Sequence, residues 1–81
     1  METRIALIGI LVESQECVDQ MNRLLSEYGG YIVGRMGIPY RQKNINVISV
    51  VVDAPADVIS ALSGKLGMLG GMTTKTVYSK K

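Results

Sequence analysis

Two runs, "IALIGILV" at residues 5–12 and "INVISVVV" at residues 45–52, constrain the fold of this chain more than any other feature. Each is long enough for a strand, too short for a helix of its own, and far short of the roughly 20 residues that a bilayer span requires. Both are apolar at either parity. In the first, Ala6, Ile8, Ile10 and Val12 alternate with Ile5, Leu7 and Leu11. In the second, Val47 and Val51 alternate with Ile48, Val50 and Val52. A strand that is apolar on both sides needs cover on both sides.

The remaining segments supply only part of that cover. Ser14 offers an N-cap hydroxyl, and Glu16 and Asp19 suit the positive end of a helix. Val18, Met21, Leu24, Leu25 and Tyr28 then recur at spacings of three and four, predicting a helix with one apolar stripe that Gly29 and Gly30 end. Residues 31–40 read as a second strand, residues 41–44 ("RQKN") as a polar turn, and the second apolar run as a third strand. Pro55 opens a second helix faced by Val58, Ile59, Leu62, Leu66 and Leu69. Gly70 and Gly71 stop it, and residues 72–79 alternate as a last strand.

The order is β-α-β-β-α-β in one domain, residues 1–81. It predicts an α+β, ferredoxin-like architecture: a four-stranded antiparallel sheet with both helices on one face and spatial order 4-1-3-2. That order puts the second strand at an edge, where Pro39 is tolerated. With the helices on one face, one parity set of the central strands is left bare. Bare apolar surface of several hundred Å² usually marks an interface. The expectation is a homo-oligomer assembled through the sheet, a dimer or tetramer, with Ile8, Ile10, Val47 and Val51 as candidate interface residues.

The second strand sits inside the unusual stretch "YGGYIVGRMGIPYR" (residues 28–41). Strand interiors usually avoid glycine, so Gly34 and Gly37, with Gly9 in the first strand, suggest a bulge or the close approach of another backbone or a ligand. Arg35 alternates to the face opposite Gly34 and Met36. Arg35, Tyr40 and Arg41 are residue types enriched where proteins meet, and form a candidate partner surface.

Several chemistries have no residues to perform them. The sequence holds no histidine and a single cysteine, Cys17, so the usual general base, the triads and the zinc motifs are missing. No catalytic, metal or cofactor site is expected. Asp53 and Asp57 flank the start of the second helix and read as capping residues, and Cys17 reads as a structural thiol. A net charge of +2, scattered along the chain, argues against nucleic acid, and the first and third strands carry no aromatic for base stacking. The first apolar run leads into Glu13, Ser14, Gln15 and Glu16 without a small-residue cleavage site, so a soluble cytoplasmic protein with no membrane association is expected.

The segments "LLSEYGGYIVGRMGIPYR" and "INVISVVVDAPADVISALSGKLGMLGGMTTKTV" resemble the small ACT-like proteins described as iron-only hydrogenase system regulators. The similarity spans nearly the whole chain. It implies an ACT-type fold, a link to hydrogenase maturation with a maturation or regulatory protein as partner, and a possible small-molecule effector at a subunit interface near the first strand-to-helix turn. By position, such a pocket would draw on Val12, Glu13, Ser14 and Gln15, with Gly34, Arg35, Met36 and Gly37 from the neighbouring strand or subunit. Against it stands a plainer role for the same residues, Ser14 as an N-cap and the glycines as packing devices. Two functions follow: a non-catalytic oligomeric regulatory or ligand-sensing module, or a protein-interaction scaffold with no small ligand.

Overall fold

The computed structural model describes residues 2–80; Met1 and Lys81, the ends of the expected domain, lie outside the described residues. The first apolar run forms β1 (Arg4–Val12) and the second forms β3 (Ile45–Ala54), paired antiparallel from Arg4 opposite Ala54 to Val12 opposite Asn46. The edges are β2 (Ile32–Tyr40), against β3, and β4 (Met72–Tyr78), against β1. The sheet order β2-β3-β1-β4 is the expected 4-1-3-2 read from its other edge. The most apolar strands are central because only there can both neighbours satisfy their backbone groups.

Both helices lie on one face. Ser14 does not begin the first helix directly: its Oγ accepts the Glu16 amide at 3.2 Å and caps a 3-10 turn, Gln15–Cys17, which hands over to α1 (Val18–Glu27). The second helix, α2 (Ala56–Gly67), starts on the Pro55 carbonyl, which accepts the amides of Val58 and Ile59. Neither Asp53 nor Asp57 caps it through a side chain. Asp57 instead lies in the first turn and Lys65 in the last, each at the end of the helix dipole that favours its charge.

The core lies between helices and sheet. Ala6, Ile8, Ile10 and Val12 of β1 and Ile48, Val50, Val52 and Ala54 of β3 meet Met21 and Leu25 of α1 and Ile59, Leu62 and Leu66 of α2. Each large apolar side chain buried there contributes roughly 1.5–3 kcal/mol. Ile8 is 0% exposed and Ile10 1%. The expectation that these two belong to an interface between copies is therefore corrected: their parity faces the helices, and the outward set of β1 is Ile5, Leu7 and Leu11. Cys17, the last residue of the 3-10 turn, is a buried free thiol.

Polar ties fix the layers at their margins. Ser63 of α2 and Thr76 of β4 share a hydroxyl hydrogen bond of 2.8 Å, and the Arg35 guanidinium on β2 donates to Asn22 Oδ1 on α1 at 3.1 Å. Between the helices, Lys65 Nζ donates to the Tyr28 hydroxyl at 2.9 Å. That bond, and the charge Tyr28 can carry, hold the Lys65 ammonium above its ordinary range. Among the described residues no helix is long and apolar enough to cross a membrane.

Candidate functional site

The register of the four strands arranges the uncovered face in rows. One row runs Ile38, Val47, Leu11, Thr73 from β2 to β4. The next runs Met36, Ser49, Gly9, Lys75, and the third runs Gly34, Val51, Leu7, Val77. Ile5 extends the surface beyond the third row, and Tyr40 beyond the first. Met36 is 71% exposed, and Ile38 and Val77 are nearly as open.

The middle row is low at its centre. Gly9 and Ser49 lie between the ridge made by Val47 with Leu11 and the ridge made by Val51 with Leu7. An open hollow of ≈ 190 Å³ results, bordered toward β4 by Thr73 and Lys75. Its lining is mostly apolar, with Ser49, Thr73 and Lys75 as its polar residues. Lys75 is the one cation within the three rows.

Of the four candidate interface residues, Val47 and Val51 lie on this face. Ile5, Leu7, Leu11, Ile38 and Val77 are the residues that the sequence reading missed. A signal for them was present: Gly9 and Ser49 share the parity of Leu7, Leu11, Val47 and Val51, while at the opposite parity Ala6, Ile8, Ile10 and Val12, and Ile48, Val50 and Val52, follow one another without a glycine or serine. The set interrupted by small residues is the set facing away from the helices.

The residues proposed for an effector pocket are not gathered in one chain. Glu13 and Ser14 follow Val12, level with Asn46 and the Pro39–Tyr40 end of β2. Gly34 to Gly37 pair with Val51 to Ile48, further down the sheet and across an intervening strand. Arg35 also points toward the helix layer, where Asn22 holds it, whereas Gly34 and Met36 belong to the open face.

Three backbone donors of the turn after β1 are occupied. The amides of Glu13 and Ser14 both donate to the Gly71 carbonyl, at 2.7 and 3.0 Å, and the Glu16 amide is taken by Ser14 Oγ. The Glu13 carboxylate accepts the Thr73 hydroxyl at 3.0 Å. Gly71 has φ +79°, and a Cβ there would come within 2.7 Å of the Ser14 Cβ, so this closure depends on glycine. An anion arriving at this turn would meet a carboxylate and no free amide at those three positions.

A second, smaller depression of ≈ 60 Å³ lies beside the β2–β3 turn. Tyr40, Arg41, Asn44 and Gln15 are among the residues around it, which places Tyr40 and Arg41 together and away from Arg35. Asn44, in the left-handed region at φ 55°, closes the turn by donating its amide to the Arg41 carbonyl at 3.2 Å. Among the described residues no three His, Cys, Asp or Glu side chains gather closely enough to hold a metal ion.

Known proteins place this architecture. No curated protein matches the chain. The structure of an uncharacterized protein, TM1266 from Thermotoga maritima, is 38% identical, covers 98% of this chain and 100% of its own, and superposes with a TM-score of 0.92. A formyltetrahydrofolate deformylase from Pseudomonas putida KT2440 shares the fold at 18% identity and a TM-score of 0.64. That match covers 90% of this chain but only 28% of the deformylase chain. The de novo designed protein Foldit4 does so at 16% identity, a TM-score of 0.64 and 99% coverage of both chains. A family model matches residues 4–76, from the first residue of β1 nearly to the end of β4; its description reads "TM1266-like: Iron-only hydrogenase system regulator, putative". The chain belongs to the TM1266-like family.

Proposed function

We propose that this chain is a non-catalytic regulatory module of the iron-only hydrogenase system, that it works in the cytoplasm as an oligomer, and that it acts through the open face of its sheet. The description of the family supports the system and the regulatory role. The observation that carries the mechanism is the broad apolar face opposite the helices, with Met36, Ile38, Leu7, Leu11 and Val77 uncovered. Exposed apolar surface on this scale favours contact with protein.

Contact with protein also has more support than sensing of a small effector. The amides of Glu13, Ser14 and Glu16 are committed within the chain, and the two hollows are open depressions rather than enclosed pockets. Small-molecule sites are usually deeper and bury most of their ligand.

The test is genetic. The chromosomal gene is replaced by Leu7→Glu or Ile38→Lys, which place a charge on the open face, or by Gln20→Ala or Ser60→Ala, which change exposed residues of the helices. Hydrogenase activity and the transcripts of its maturation genes are then measured. The face variants are expected to behave as a deletion of the gene, and the helix variants as the unaltered strain. Face variants that regulate normally would sink the proposal.

A further inference from the structure

We infer that the first occupant of the open face is a second copy of this chain, packed sheet against sheet about a two-fold axis that runs along the strands, with Met36 of each copy set against Lys75 and the Gly9–Ser49 hollow of the other. This rests on the reading of the open face as the working surface, and adds to it the identity and the orientation of the partner.

Three observations carry it. The first is area. Seven large apolar residues of this face, Ile5, Leu7, Leu11, Met36, Ile38, Val47 and Val77, are each 38–71% exposed, a surface comparable to the roughly 800 Å² that one partner contributes to a stable interface of standard size. A face that a second copy covers must be self-complementary, and this one holds both halves of such a fit: a hollow at Gly9 and Ser49, and in the same row a projecting Met36.

The second is that, among the described residues, no neighbouring atom excludes a side chain at two glycines of this face. A Cβ at Gly9 would meet no atom nearer than the Lys75 carbonyl oxygen, at 3.8 Å, and at Gly34 it would meet nothing within 4 Å. Neither residue has a positive φ. Glycine weakens a strand interior; Gly34 adjoins the register shift after Ile32, where a small residue also suits the chain itself, whereas Gly9 sits in regular ladder on both sides, and the close approach of a body from outside gives its smallness a use. Both glycines belong to the open face.

The third is charge, which selects the axis. Two sheets packed face to face can be related by a two-fold along the strands or by one across them. An axis along the middle row would set Lys75 against Lys75 of the other copy, two like charges taken out of water together. An axis along the strands keeps the rows aligned and exchanges the columns. Lys75 of each copy then lies against Met36 of the other, its stem on the thioether and its ammonium at the rim.

Sedimentation of the purified chain at micromolar concentration tests this, with circular dichroism to confirm the fold of each variant. The unaltered chain is expected to form a dimer. Gly9→Val should weaken it at least about tenfold while leaving the monomer folded, because valine suits an exposed strand position. Met36→Lys should break the dimer by facing Lys75 of the other copy, and adding Lys75→Glu to that variant should restore it. Met36 is exposed, so this pair remains informative if Gly9→Val misfolds. A chain that stays monomeric overturns the inference, as does a dimer indifferent to Gly9→Val or a Met36→Lys variant that Lys75→Glu does not rescue. If the chain is monomeric while Leu7→Glu still abolishes regulation in cells, the open face remains the working surface and its occupant is a different protein.

Discussion

Ile8 and Leu7 are adjacent on the same strand, are similar in size and chemistry, and face opposite environments. Ile8 is sealed between sheet and helices, while Leu7 on the other side is 43% exposed. The covered face is continuous at the centre of the sheet, with Ala6, Ile8, Ile10 and Val12 beside Ile48, Val50 and Val52. The open face is just as apolar at its ridges but breaks at Gly9 and Ser49 and admits Lys75. A face that must close over its own helices tolerates no gaps, because each missing methylene leaves a cavity. A face that meets a separate body can carry a gap for that body to fill.

Substitutions that treat the two faces alike probe this contrast. The largest effect is expected from Ile8→Ala, which should lower the unfolding free energy by roughly 2–5 kcal/mol in urea titrations. Leu7→Ala should cost far less in dilute solution, and its full cost should emerge only as protein concentration rises. Equal costs at every concentration would remove the distinction between the faces.

Next in size is the Gly71→Ala exchange. The left-handed backbone and the crowding against Ser14 should together cost roughly 2–3 kcal/mol, read as a lower urea midpoint. Gly34→Ala, at a glycine with open space and ordinary φ, should be neutral or stabilising by about 0.4–1 kcal/mol in the monomer. If Gly34→Ala destabilised the dilute monomer as Gly71→Ala does, its smallness would serve the chain itself and not the open face.

The smallest effect belongs to the tie between the helices. Lys65 has its proton affinity raised by Tyr28, so it contributes stability that is complete below the ordinary lysine value and lost as pH rises through the raised one. Tyr28→Phe should therefore lower the thermal midpoint slightly at neutral pH, and the gap from the unaltered chain should begin to narrow only above about pH 10.5 and close as pH passes the raised value. A gap that persisted there would assign the effect to packing of the ring.

How much of this the sequence made legible differs between the same two faces. The order of elements, the edge position of β2 and the apolar stripe of α2 follow from periodicity and punctuation, and the structure has them. Ser14 was readable as a cap, though not that it caps a 3-10 turn ahead of α1. Which parity of β1 turns toward the helices was not decided by hydropathy, because both parities are apolar. It is decided by how the crossovers seat α1 and α2 on the sheet. The separation of Glu13 and Ser14 from Gly34 to Gly37 was hidden for a related reason: it depends on strand register, which no single segment encodes. The tie from Arg35 to Asn22 joins two elements whose contact only the packed layers create.

The edge strand β2 carries one further consequence. Its pairing with β3 shifts register between Ile32 and Gly34, and near its other end Pro39 has no amide hydrogen. A ribbon lengthening edge to edge needs a regular ladder on both outer strands, and this strand offers one interrupted twice. Growth in that direction stalls. A chain that is 47% hydrophobic and leaves one side of its sheet bare is thus steered toward complexes that saturate at a fixed number of copies, and away from fibres.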